Sequence, residues 1–185
     1  GVFVLCQLTT AAGQELTESF IQDELARAQT DPDSEISLTI NAPRDFVFAF
    51  LTRRVHEYVS DARGVEFDHG NAAQVGRLAA GSQRRILMAN DEFLLQRFLV
   101  VEPPRSFAYF VDMERSTLSA PLAYSISRYQ LTETAPETTQ LEIAVVYQSS
   151  TRLLAFFVRR GFNNALERDF AAAADIIEAD YQAAQ

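Results

Sequence analysis

Two histidines, His56 and His69, a single cysteine, Cys6, and no lysine bound the covalent and acid–base chemistry open to this chain. All sixteen basic residues are arginine. Schiff-base formation, a phosphate-gripping lysine and a lysine general base are therefore excluded. One thiol forms no intrachain disulfide and no Cys-x-x-Cys site. The histidines stand thirteen residues apart, and even with Asp68 or Glu57 nearby that spacing matches no metal-ligand pattern. We expect no metal and no cofactor. No Gly-x-Ser-x-Gly turn presents a nucleophilic serine, and no glycine-rich loop cradles a phosphate. What remains is hydroxyl and amide chemistry: Tyr109, Gln96 and, beside Asp68, His69 could polarise a carbonyl or place a proton.

Those side chains fall on a run of strands. Residues 34–40 alternate Ile36, Leu38 and Ile40 against Glu35, Ser37 and Thr39, which predicts a half-buried strand. Pro43 then suits the first turn of a helix carrying Phe46, Val47 and Phe50, and a second helical piece continues through Val55, Tyr58 and Val59 to a break at 61–64. Residues 65–68 read as a short strand and 69–81 as a loop of small residues. Strands at 82–89, 93–101 and 106–113 follow in hairpin order, turned by Asn90-Asp91 and Pro103-Pro104. Two more, 124–132 and 138–148, complete the set.

From about residue 151 onward no proline intervenes. Leu154, Val158, Phe162, Leu166, Phe170, Ala173 and Ile177 recur every three or four residues, the stripe of one long amphipathic helix. Gly161 interrupts it. A helical glycine costs ~1 kcal/mol against alanine, so a kink or a close approach by a neighbour or ligand is expected there. Near the other end, Leu16, Phe20, Ile21 and Leu25 mark a short amphipathic helix over 14–29 that Thr30-Asp-Pro-Asp-Ser34 breaks. We divide the chain into an N-terminal extension, 1–33, and a main domain, 34–185.

A formal net charge of -9 and a content of 48% apolar and 22% charged residues describe an acidic globular protein. No nucleic-acid partner is expected, because phosphate affinity comes from cationic side chains, and anionic lipid surfaces are repelled. The pairs Arg53-Arg54, Arg84-Arg85 and Arg159-Arg160 read as decorations of wet faces. Residues 2–8 are apolar but too short for the ~20 residues of a membrane span. They read as a remnant of a signal or anchor, or as an extra strand or arm; a cytoplasmic location is favoured. Fourteen Phe and six Tyr accompany an absence of Trp.

A strand, two short helices, an antiparallel run of strands and a long last helix is the order of the helix-grip fold, an α+β architecture. From about Ser34 to its end the chain resembles the START-like (SRPBCC) superfamily, and within it the polyketide cyclase/dehydrase and lipid-transport group. The resemblance rests on Ile36, Leu38 and Ile40 running into Asn41-Ala-Pro-Arg-Asp-Phe-Val-Phe-Ala-Phe50. It continues with Gly81-Ser-Gln-Arg84, with Val101-Glu-Pro-Pro-Arg105 followed by Tyr109, and with Thr139-Gln-Leu-Glu-Ile143 leading to Tyr147. Residues 1–33 fall outside it. The resemblance implies a curved antiparallel sheet wrapped around the C-terminal helix, with a cavity between them for an apolar small molecule or lipid. Two positions depart from the group: Gln96 stands where members often carry an acid, and Ile143 where many carry Trp. Both make the interior more neutral and weaken acid–base catalysis.

Alternate side chains of a strand share a face. Arg97, Arg128, Gln130 and Glu142 belong outside, which turns Gln96, Phe98, Tyr109, Ser127, Tyr129, Ile143 and Tyr147 inward. With Tyr58, Met88, Phe157 and Phe162 from the flanking elements, these are the expected ligand-contacting residues. Such a lining suits an apolar ligand oriented by a few hydrogen bonds. Three functions stay open: a binding module for a hydrophobic small molecule or lipid, a cyclase/dehydratase using Tyr109, Gln96 and His69, and a partner-binding module, including a homodimer, in which 1–33 docks on a second chain.

Overall fold

The computed structural model describes residues 16–150 and 155–185, with side chains in the second stretch described from 159 onward. Cys6 and the apolar segment 2–8 lie outside the described residues, as do Leu154 and the side chain of Val158. Helix α1 (Glu18–Thr30) starts at Thr17, whose Oγ1 accepts the Phe20 N–H, a side-chain N-cap. Strand β1 (Ser34–Ile40) and helix α2 (Arg44–Arg53) follow. Strands β2 (Ala62–Asp68), β3 (Gln83–Met88), β4 (Phe93–Glu102), β5 (Ser106–Asp112), β6 (Leu122–Ala135) and β7 (Thr138–Ser149) lead to helix α3 (Ala155–Ala183). The seven strands form one antiparallel sheet in the order β1-β7-β6-β5-β4-β3-β2. Together with the long last helix this is a helix-grip α+β fold.

The period-2 pattern places the main core. Tyr129 and Leu131 of β6, Leu141, Ile143 and Val145 of β7, and Phe107, Tyr109 and Val111 of β5 form one cluster with Phe170, Ala173 and Ile177 of α3. Each large side chain fully buried there contributes ~1.5–3 kcal/mol. Polar contacts then fix the C-terminal turns of α3. Glu178 accepts hydrogen bonds from the Asn41 main-chain N–H and side-chain amide, Tyr181 donates to Glu137, and Arg54 pairs with Asp180 at 2.7 Å.

The opposite face of the sheet is covered as well. Ile21 and Ala28 of α1 pack on Phe110, Tyr124, Ile126 and Val146, strand residues of the other parity. Beside them Arg27 bridges Glu24 and Asp33, and the Tyr124 hydroxyl donates to Glu24. The apolar outward positions Phe110, Ile126 and Val146 were the signal of this two-sided burial.

Three local features differ from the sequence expectations or refine them. The second helical piece is only a 3-10 turn, Val55–Glu57. There the Tyr58 hydroxyl reaches back to the Leu51 carbonyl and Asp61, at φ 64°, turns the chain into β2. Helix α3 runs through Gly161, where an added Cβ would meet nothing within 4 Å, so no close approach requires that glycine. The β3–β4 turn has Asn90 and Asp91 at φ 62° and 60°. Residues of this type tolerate the left-handed region, and such turns match the twist of a hairpin.

Candidate ligand-binding site

Between the sheet and α3 lies a cavity of about 260 Å³. The sheet supplies Ile86 from β3, Leu94 and Gln96 from β4, Tyr109 and Val111 from β5, and Ser125 and Ser127 from β6. Phe162, Leu166, Asp169 and Phe170 of α3 face them, and Val55, Tyr58 and Val59 close one side. The helix wall is mostly apolar, and hydroxyls and one amide stand on the sheet wall. Depressions of about 300, 340 and 350 Å³ on the outer surface are lined by charged and amide side chains, among them Glu66, Arg85 and Arg115 in the first and Arg128 in the other two.

Strand register sets the polar wall. Gln96 stands opposite Val111 and Val111 opposite Ser125; one step along, Phe98 stands opposite Tyr109 and Tyr109 opposite Ser127. Of the residues expected at the site, Tyr58, Gln96, Tyr109, Ser127 and Phe162 line the cavity. Phe98, Tyr129 and Ile143 are buried in the core behind it, and Met88 packs against that core. Tyr147 packs against Phe162 with ring centroids 4.7 Å apart and the planes tilted by 49°. The Phe157 side chain lies outside the described residues. His69 is not brought to Tyr109 and Gln96: its Nδ1 contacts Ser82 Oγ at 2.9 Å and its ring stacks on Phe67.

Arg84 corrects the reading of the Arg84-Arg85 pair as a wet face. Arg84 is completely buried, and only Arg85 faces out, with its guanidinium 3.8 Å from the Phe93 ring centroid. Adjacent strand residues point to opposite faces, so both could not have been solvated. Arg84 shares its parity with the inward Ile86, and that signal was available in the sequence. Its Nε donates to Gln96 Oε1 at 2.8 Å, and Nη1 donates to the carbonyls of Leu51 at 3.1 Å and Thr52 at 2.8 Å. These carbonyls end α2, where backbone acceptors lack helical partners and the dipole is negative. The rings of Phe98 and Tyr109 lie 5.1 and 5.2 Å from the guanidinium. Nη2 is buried with no hydrogen-bond partner among the described residues.

Gly81 positions this arginine. At φ 88°, a Cβ there would come within 2.2 Å of the Asn71 carbonyl oxygen. Its N–H donates to Phe98 O, which sets the start of β3 against β4. Three tyrosines surround the charge. The Tyr109 and Tyr129 hydroxyls are 2.7 Å apart, and Tyr58 donates to Leu51 O. Burial pushes the Tyr58 and Tyr129 phenols above their ordinary range, with the Arg84 charge opposing it. Both therefore stay protonated near neutral pH. At the α3 wall, Asp169 accepts from Ser60 at 2.8 Å and from Arg168 at 3.0 Å. Among the described residues no cluster of three or more His, Cys, Asp or Glu could hold a metal ion, and no helix is long and apolar enough to cross a membrane.

Neither a protein-family model nor a curated protein matches the chain. Solved structures do match. A START superfamily protein from Mycobacterium smegmatis aligns at 10% identity over 82% of this chain and 98% of that one, with a TM-score of 0.62. Ara h 8.0201 aligns at 14% identity over 79% and 97%, with a TM-score of 0.59. The Zhui aromatase/cyclase from a Streptomyces species aligns at 16% identity over 80% and 92%, with a TM-score of 0.55. At such identities the likeness establishes the architecture: the chain has a START/SRPBCC-like fold.

Proposed function

We propose that the protein binds a compact hydrophobic small molecule in the cavity between β3–β6 and α3. The observation that carries this reading is the division of the lining into a helix wall apolar except for Asp169 and a sheet wall bearing Gln96, Tyr109, Ser125 and Ser127. An apolar enclosure with a few fixed polar groups is the usual form of a small-molecule site. Size narrows the occupant. A cavity of about 260 Å³ exceeds the ~150 Å³ that accepts benzene and falls just below the ~300–1,000 Å³ of most ligand pockets. One or two fused rings, or a short single chain, suit that volume better than a lipid with two long chains. Native mass spectrometry of protein purified without denaturation, followed by titration with naphthalene-sized probes, tests the reading. One bound molecule per chain is expected, with binding lost when Ser127→Phe fills the cavity. Failure of every apolar probe to bind would overturn it.

A second reading, a cyclase or dehydratase, is favoured by the Tyr129–Tyr109 hydroxyl pair, which ends in the cavity at Tyr109. Tyr109 would hand a proton to a substrate carbonyl and Gln96 would polarise it. This reading requires turnover of an accepted substrate to fall in Tyr109→Phe while affinity is retained. Unchanged turnover there and in Gln96→Leu would end it.

A further inference from the structure

The cavity wall hides a full positive charge, Arg84, with no carboxylate in hydrogen-bond contact; the one carboxylate lining the cavity, Asp169 of α3, is engaged instead by Ser60 and Arg168. Arg84 makes its hydrogen bonds to one amide and two main-chain carbonyls, all neutral acceptors, and Nη2 makes none among the described residues. A buried cation without a counter-charge is costly. One layer of side chains, Gln96 and Tyr109, stands between the guanidinium and the cavity, since both touch Arg84 and both line the space.

That layer is turned to donate. A guanidinium cannot accept a hydrogen bond, so Gln96 must give it Oε1 and keep its Nε2 donor for the cavity. Tyr129 is buried with the Tyr109 hydroxyl as its partner. When Tyr129 donates to Tyr109, the Tyr109 proton is available to the cavity. Donors in front and a cation behind are the complement of an oxyanion.

Resting on the ligand-binding reading above, we infer that the cavity selects a ligand whose apolar skeleton bears an acidic oxygen group, a carboxylate or a phenolate or enolate. That group sits against Gln96 Nε2 and the Tyr109 hydroxyl. The ligand supplies the counter-charge that Arg84 lacks.

Calorimetric titration of the full chain with naphthoate and with naphthalenemethanol, equal in skeleton and different in charge, tests this at neutral pH. A unit charge one side-chain layer away at an effective dielectric of about 20 favours the anion by up to ~100-fold, and its desolvation lowers this to about tenfold or more. Gln96→Glu supplies the counter-charge internally, so it should cost naphthoate about tenfold or more and abolish its preference over the alcohol. Gln96→Leu, which removes the donor and keeps the cation, should weaken naphthoate severalfold and serves if the first variant does not fold. If the alcohol binds as tightly as naphthoate, or Gln96→Glu keeps the preference, the inference falls and the apolar binding function stands. If neither compound binds while naphthalene itself does, the inference falls and apolar binding stands; if no apolar probe binds either, both fall.

Discussion

Arg84 and Gln96 stand directly opposite each other across the β3–β4 register, and the guanidinium Nε donates to the amide oxygen at 2.8 Å. Gln96 is the position where the resemblance leads one to expect an acid. With an amide there, Arg84 is balanced by partial charges alone: the end of α2, the Gln96 oxygen and two ring faces. The more neutral interior anticipated from Gln96 is thus an interior with an unpaired cation behind it.

Gln96→Glu is expected to stabilise the protein by about 1–2 kcal/mol at neutral pH, the usual gain of a hydrogen bond to a charged partner less the desolvation of the new carboxylate. The pairing holds the folded-state carboxyl below its unfolded value. The gain is therefore complete above the unfolded value and disappears as pH falls through the folded one. Urea denaturation of both proteins at neutral and acidic pH measures it. An unchanged or lower stability at neutral pH would show that α2 and the rings already balance the charge.

The alternation in the sequence places part of the cavity wall. Gln96, Tyr109 and Ser127 follow from the parity of β4, β5 and β6, and Phe162 follows from the stripe of α3. Arg84 was missed because two adjacent arginines suggest solvation by composition, although Ile86 two residues on fixes Arg84 inward. The hydrogen bonds that hold it come from Leu51 and Thr52, more than thirty residues away, and no local pattern reports such a contact. The placement of α1 was illegible for a related reason. Its stripe shows that it must pack, whereas only the outward Phe110, Ile126 and Val146 show on what.

Tyr109 and Tyr129 test how far the buried hydroxyls depend on each other. Tyr129→Phe or Tyr109→Phe alone removes one partner of a buried bond, and each is expected to cost about 1–2 kcal/mol. The double variant removes both partners and should cost less than the sum by about 1 kcal/mol. A double-mutant cycle by denaturation measures the coupling. Strict additivity would mean that each hydroxyl finds another partner in the core.

The seating of α1 should depend on pH through Glu24. Its hydrogen bonds from Arg27 hold the carboxyl below the ordinary value of 4.5, helped by Tyr124 and opposed by burial and by Asp33. A depressed folded value stabilises the protein above pH 4.5, and that contribution is lost as pH falls through the folded value. For a pair only partly withdrawn from water it amounts to about 1 kcal/mol. Hydrogen bonds from Gln22 and Arg97 lower Glu18 in the same direction, and two from Arg54 lower Glu57. The comparison must therefore be with Glu24→Gln rather than with neutral pH alone. Thermal melts should show wild type above the variant near neutrality and level with it in strong acid. A constant gap at all pH values would assign the difference to packing.

One substitution made at two glycines should have opposite signs. Gly81→Ala places a methyl group in the left-handed region at φ 88° and 2.2 Å from the Asn71 carbonyl oxygen, a main-chain atom that cannot swing aside. Backbone strain alone costs ~1–3 kcal/mol, and relief of the clash must shift β3, which carries Arg84. A loss of about 3 kcal/mol is expected, together with weaker probe binding, because the Arg84–Gln96 geometry moves with the strand. Gly161→Ala meets nothing within 4 Å at the seventh residue of α3, inside the helix. There the methyl group only narrows the unfolded ensemble, for a gain of about 0.5–1 kcal/mol, and binding should not change. Denaturation midpoints and one probe titration on each variant decide both signs. Stabilisation by Gly81→Ala would show that the start of β3 does not need the left-handed turn.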